Sequence, residues 1–287
     1  MNDLDRRLNA FRPDLADENL AGKVDASRLS AGRPAWVTVP VLDMKSAPRP
    51  DAGLDTQLLG GDEVRVFEEA EGYAWVQAVR DRYVGYVSAA GLDYRELEPT
   101  HIVSVPRTFS YREPDMKKQA TVCYSMDNSL RIVGTASTRG TDYALLESGE
   151  ALIANHLQPL KSRASDFVTV AEHLERTPYL WGGKSAFGID CSGLVQLSMR
   201  MAGTDVLRDT DMQANTIGTL LEVPADITGL QRGDLVFWKG HVAIMLDETS
   251  IIHANGHAMM VSREPLQDAV DRVAYLYGRP TAFRRPA

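Results

Sequence analysis

The sequence predicts a multidomain chain: two small β-rich barrel or sandwich regions in tandem, then an α+β unit with a helix packed on an antiparallel sheet. Three observations carry this. At 287 residues the chain exceeds what most single cores span, so two or three domains are expected. From about residue 34 to 162, short β-branched and aromatic runs alternate with turn residues. From about 163 the pattern changes to helical spacing followed by apolar strands.

Residues 1–33 form a polar, partly helical extension. Weakly spaced Leu4, Leu8 and Phe11 mark it as a segment that packs on something larger. Residues 34–97 make the first β region, with strands predicted at 36–39, 63–67, 74–79 and 83–87 and turns at Gly60-Gly61, Glu71-Gly72 and Asp81-Arg82. Residues 98–162 make the second, with strands at 101–105, 120–124, 130–133, 143–146 and 150–154. Their similar lengths suggest a diverged pair. Cys123, at an apolar strand position, reads as a buried structural thiol.

In residues 163–287 a first helix runs through 166–175 and stops at Thr177-Pro178, and a second starts at Asp190 or Cys191 and ends near Gly203. Strands follow at 235–238, 241–246 and 250–254, with a last one near 273–277.

Charge and composition exclude some classes. The 31 basic and 39 acidic side chains give a net charge of -8, against a nucleic-acid partner. No apolar run approaches the roughly 20 residues that span a bilayer, so no membrane partner is expected. A charged N-terminal stretch without an apolar core reads as no secretory signal. Two cysteines make no disulfide framework, and the expectation is a cytoplasmic protein.

The chemistry centres on Cys191. Core burial is the ordinary fate of a cysteine. Here, however, it stands in the first turn of a predicted helix, where free N–H groups favour a thiolate, flanked by Asp190 and Ser192 and by the glycines at 182, 183, 188 and 193. His241 and His253 each sit in an apolar strand, where a satisfied core histidine is the plain alternative. Both reach one face only if the hairpin loop near 248–250 has an odd number of residues. His241 would then take the Cys191 proton, and His253 would hold the His241 ring. The Cys191 N–H and the Tyr179 hydroxyl would receive the oxyanion. A Cys-His-His zinc site, with His257 as an extra ligand, is the weaker alternative, since CxxC and HExxH spacings are missing. No phosphate-binding glycine loop is present, and neither metal nor cofactor is called for.

These residues carry a resemblance. Pro178-Tyr-x-Trp-Gly-Gly183, Asp190-Cys-Ser-Gly-Leu194, Gly233-Asp-Leu-x-Phe237, Gly240-His-Val-Ala-Ile244 and Ile252-His-Ala254 look like the NlpC-type, papain-like cysteine peptidases of bacterial cell-wall peptides. The resemblance implies Cys191 as nucleophile, His241 as base and His253 as third member. Upstream, Gln57-Leu-Leu-Gly60, Gly85-Tyr-Val87 and Tyr111-Arg-Glu-Pro-Asp-Met116 resemble the paired bacterial SH3-like domains of one subfamily. That subfamily is similar to γ-D-glutamyl-L-diamino-acid endopeptidases, which cut after D-Glu in peptides with a free N-terminal L-Ala. The implied partner is a murein peptide. Diaminopimelate or lysine at its third position, and the oligomeric state, stay open.

An enclosed ammonium needs a carboxylate, and Asp190 is the natural one. The resemblance also implies substrate-side roles for Ser192, Tyr179 and Thr210, and puts Tyr86 over the end of the cleft beyond L-Ala. Subfamily members tend to carry Glu shortly before the Gln-Leu-Leu piece; this chain has Gly53, with Asp51 and Asp55 nearby. The functional expectation is peptide recycling, set against a secreted wall hydrolase or a degenerate wall-fragment-binding protein.

Overall fold

The computed structural model describes residues 4–222 and 226–287. The first three residues of the extension, including the start of the stretch read for a signal, lie outside them. The chain divides into two compact units, Met1–Ser162 and Arg163–Ala287.

In the first unit, the extension is built from turns, one 3-10 turn at Glu18–Leu20 and a short parallel pairing of Ala16–Asp17 with Leu29–Ser30. Among the described residues its helical content is that single turn, because Pro13 and the turn-forming residues around it break the weak apolar spacing. Ala10 and Leu15 are buried with Phe67 and Trp75, so the segment packs on the first β region.

That region contains β1 (Arg33–Val37), β2 (Val41–Lys45), β3 (Leu54–Leu59), β4 (Glu63–Ala70), β5 (Tyr73–Ala78), β6 (Val84–Ser88) and β7 (Leu92–Asp93). They join in the order β3-β2-β6-β5-β4-β1-β7. Glu71 and Gly72, both at positive φ, close the two-residue turn between β4 and β5, the twist such a hairpin requires.

The second region contains β8 (His101–Val103), β9 (Arg107–Tyr111), β10 (Ala120–Ser125), β11 (Ser129–Leu130), β12 (Ile132–Thr138), β13 (Thr141–Leu146), β14 (Ala151–Ile153) and β15 (Leu157–Pro159). Its sheets run β10-β9-β14-β13-β12 and β11-β8-β15. If β11 and β12 are joined, this is the pairing order of the first region. Arg139 and Gly140, again at positive φ, close the equivalent hairpin, and a 3-10 turn precedes the last strand in both regions. Cys123 is half-buried rather than buried, because β10 has only one fully covered residue, Ser125.

The second unit places α1 (Phe167–His173), α2 (Cys191–Met201) and α3 (Thr210–Thr216) ahead of most of an antiparallel sheet. The strands are β16 (Thr219–Leu220), β17 (Leu235–Trp238), β18 (His241–Met245), β19 (Ser250–Asn255), β20 (Met260–Pro265) and β21 (Ala282–Arg285). Their order is β16-β21-β17-β18-β19-β20. The expected strand near 273–277 is instead part of α4 (Leu266–Tyr277). Leu266, Ala269, Val270 and Val273 recur at helical spacing and are buried, and a short apolar run read without those upstream positions mimics a strand. They pack on Trp238, Met245 and Ile251 of the sheet.

Candidate active site

α2 begins where the sequence requires it. The Asp190 side chain accepts the Gly193 N–H at 2.7 Å and caps the helix, leaving Cys191 in its first turn. The approach is close: a Cβ on Gly193 would lie 2.3 Å from the Gly183 carbonyl oxygen, so only glycine fits there.

Met245 pairs with Ile251, and Leu246 N–H bonds to the Ser250 carbonyl, which leaves a three-residue loop at 247–249. This odd loop sends His241 and His253 to one face. Their rings meet edge to face at 5.1 Å, with His241 Nε2 and His253 Nδ1 2.8 Å apart. Those two nitrogens face each other and are spent on one hydrogen bond, a poor arrangement for joint metal ligation. His253 is 1% exposed, and its Nε2 lies 2.7 Å from Oε1 of Glu264, which also bonds Arg272. Glu264 comes from β20, diagonal to His253 on the same face, and Arg272 from α4. The backbone N–H of Val242, next to His241 on β18, lies near enough to the Cys191 thiol to favour its ionised form, which sets the thiol beside the strand that carries the base.

The electrostatics differ from the expected thiolate. Burial pushes the Cys191 thiol up to about 12, and the Asp190 carboxylate adds to it; the Val242 N–H and Arg208 pull the other way without prevailing. Burial lowers His241 to about 3, with His253 and Arg272 contributing. The resting pair is therefore a neutral thiol and a neutral imidazole. Desolvation and a nearby negative charge outweigh the helix N-terminus.

Asp190 also departs from expectation. Its Oδ1 accepts from Gly193 N–H, Ser192 Oγ at 3.3 Å and Arg208 Nη1 at 3.0 Å; its Oδ2 accepts from Gly182 N–H at 3.0 Å and Arg208 Nη2 at 2.7 Å. Five donors on a carboxylate with about four lone-pair sites leave no room for a substrate ammonium. Ser192 Oγ is likewise occupied, accepting from Arg208 Nη1 at 2.7 Å. Arg208 is 1% exposed.

Tyr179 is half-buried and lines a cleft of about 440 Å³ with Trp181, His241, His253, His257 and Tyr277. Burial and the charges of Cys191 and Asp190 raise its hydroxyl, which stays a proton donor. Thr210 opens α3, two residues after Arg208. Tyr86 belongs to the first unit, where its hydroxyl accepts from Arg12 at 3.0 Å.

Glu264, Arg272 and Arg208 went unread in the sequence. Arg208 stands two residues before Thr210, and Glu264 shares a face with Ser262 on an edge strand, a polar pairing that ordinarily marks a solvated face.

Residues 176–276 match the model of the NlpC/P60 family, and residues 44–92 match that of the bacterial dipeptidyl-peptidase Sh3 domain. The probable endopeptidase NlpC of Escherichia coli is 34% identical over 130 residues, which cover 40% of this chain and 78% of that protein. The chain belongs to the NlpC/P60 family. It is a cysteine peptidase of that family, with an SH3-like domain ahead of the papain-like one. A γ-D-glutamyl-L-lysine dipeptidyl-peptidase of Bacillus cereus is 27% identical over 248 residues, covering 76% of this NlpC/P60 chain and 72% of the relative. An NlpC/P60 family protein of the same species has a crystal structure that aligns over 88% of this chain and 99% of its own, with a TM-score of 0.71 at 23% identity, a likeness of fold.

Proposed function

We propose that the chain hydrolyses the bond between γ-D-Glu and an L-diamino acid in cell-wall-derived peptides with a free N-terminal L-Ala. One observation carries the reading: His241 on β18 and His253 on β19 form a hydrogen-bonded pair, and the backbone N–H of Val242, next to His241, lies near enough to the Cys191 thiol to favour its ionised form. The name of the Bacillus cereus relative, a γ-D-glutamyl-L-lysine dipeptidyl-peptidase, supports the bond cleaved.

In this mechanism the Cys191 proton passes to His241 Nδ1, the ring nitrogen left after Nε2 is bonded to His253. The sulfur attacks the γ-carbonyl carbon of D-Glu. The oxyanion is received by the Cys191 N–H, one of the four helix-terminal N–H groups without an intrahelical partner, and by the Tyr179 hydroxyl. His241 returns the proton to the departing amine. Water, deprotonated by the same imidazole, then hydrolyses the thioester. His253 orients the base. Because Asp190 and Ser192 are held by Arg208, recognition of the ammonium is not assigned to them.

The repeated pairing order supports reading residues 98–162 as a second SH3-like domain. A recycling role follows from the chemistry of the substrate: an L-Ala amine is free only on peptides already released from the glycan. Two unpaired cysteines fit a reducing compartment, the cytoplasm.

The test is incubation with L-Ala-γ-D-Glu-diaminopimelate, its lysine counterpart and an N-acetylmuramoyl-blocked version. The expected result is cleavage of the free peptides only, lost in Cys191→Ala. Equal cleavage of free and blocked peptides removes the amine requirement, and intact free peptides overturn the reading.

A further inference from the structure

We infer that Glu264, held by Arg272, is a positioning residue that fixes the tautomers of both histidines and so makes His241 Nδ1 the basic atom. This rests on the reading of Cys191 and His241 as nucleophile and base.

The argument follows the protons. Glu264 bonds the guanidinium of Arg272 and the His253 Nε2. Although burial alone would raise its carboxyl, the His253 and Arg272 contacts hold it below the usual glutamate range, so it is ionised and accepts only. His253 Nε2 must then carry a hydrogen. With one ring hydrogen on each histidine, as burial favours for His241, and that of His253 on Nε2, His253 Nδ1 is a bare acceptor, and the proton in the 2.8 Å contact sits on His241 Nε2. One nitrogen of the His241 ring is left with a lone pair, Nδ1.

The same chain handles charge. When His241 Nδ1 takes the thiol proton, the new positive charge is linked through two hydrogen bonds, of 2.8 and 2.7 Å, to a carboxylate. Arg272 keeps that carboxylate in place and offsets part of its charge. The side chain of Glu264 is 20% exposed, whereas that of His253 is 1% exposed, so the sink lies at the rim and the relay in the interior.

A side-chain amide in place of the carboxylate can donate as well as accept, which frees the opposite arrangement: His253 Nδ1–H to His241 Nε2, with the His241 hydrogen on Nδ1, where it blocks the base. The experiment compares wild type with Glu264→Gln and Glu264→Asp, each in a Cys123→Ser background. Nitrogen-15 NMR of labelled histidines reads the tautomers at neutral pH. Iodoacetamide alkylation of Cys191 reads base competence without any peptide, and kcat and KM are measured on the peptide that proves active.

The expected result is Nε2–H on both rings in wild type and a mixed or reversed population in E264Q. Alkylation and kcat should fall at least about tenfold with KM unchanged, as in other triads whose base takes the wrong tautomer, with partial recovery in Glu264→Asp. Wild-type tautomers and alkylation within twofold in a folded E264Q overturn the proposal. If E264Q does not fold, the wild-type spectrum decides: a hydrogen on His241 Nδ1 there overturns the proposal. Failure of the substrate reading would leave the tautomers and alkylation untouched, so the two outcomes are distinguishable.

Discussion

Around the N-terminus of α2, Asp190 is bonded by Arg208, two backbone N–H groups and a hydroxyl, whereas along β18 to β20 the His241–His253–Glu264 chain is linked by single hydrogen bonds. Each network ends in an arginine–carboxylate pair. Arg208 is enclosed and Asp190 nearly so, and the carboxylate accepts from donors at both oxygens, so no proton has anywhere to go. The histidine chain carries atoms that both donate and accept, and protons can shift along it. The first network resembles a brace and the second a relay. Breaking the brace should cost stability, and breaking the relay should cost rate.

The largest contrast is at the thiol. Cys191→Ala should remove peptide cleavage by about 10⁴-fold or more, measured by product release, while lowering stability by no more than about 1–2 kcal/mol, since the buried thiol packs as a small apolar group and its loss leaves only a sulfur-sized gap. Arg208→Leu should do the reverse in kind. Removing one partner of a buried ion pair leaves the other charge uncompensated, worth about 3–5 kcal/mol, read as a drop in ΔG from urea unfolding. A variant as stable as wild type would mean that Asp190 is not held by Arg208 in solution, and would reopen its role toward an ammonium.

The sequence disclosed the relay better than the brace. His241 and His253 stand out as polar residues in apolar strands, and hairpin parity alone tied their faces together. Cys191 was marked by its place after a capping acid. Arg208 lies in a loop ahead of α3 with no periodicity to report its burial, and the sequence offers its partner Asp190 as the carboxylate for a substrate ammonium instead. Long-range ion pairs leave no local pattern. The same limit hid α4, whose last turn taken alone alternates like a strand; only Leu266, Ala269 and Val270, earlier in the chain, reveal the helical period. In the β regions, the Glu71-Gly72 turn was legible, but the break between β11 and β12 was not, because nothing in Leu130-Arg-Ile132 differs from a continuous strand.

The brace also depends on close backbone approach. Gly193→Ala would drive a Cβ to within 2.3 Å of the Gly183 carbonyl oxygen and 3.0 Å of Asp190 Oδ1. Backbone cannot retreat as a flexible side chain does, so the variant should lose about 1–3 kcal/mol, seen as a lower urea midpoint. Unchanged stability would show that the segment around Gly183 yields more readily than its bonding to Asp190 and Arg208 indicates.

The smallest effect separates the two networks by pH. His241 titrates ordinarily near 6.5 and is lowered to about 3, so between these values the unfolded chain holds a proton that the folded chain refuses. Stability from this group is full above 6.5 and falls as the pH drops through that window. Cys191 runs the opposite way. Its ordinary value of 9.0 is raised to about 12, so its contribution is full below 9 and falls as the pH rises toward 12, by about 1 kcal/mol one unit into the window. Subtracting the urea-unfolding profile of Cys191→Ala from that of wild type isolates the thiol from other alkaline groups. The difference should be flat below pH 9 and decline above it. A difference that declines already between pH 6 and 8 would mean a thiol titrating low, as a thiolate–imidazolium pair would, and the neutral resting pair would have to be abandoned.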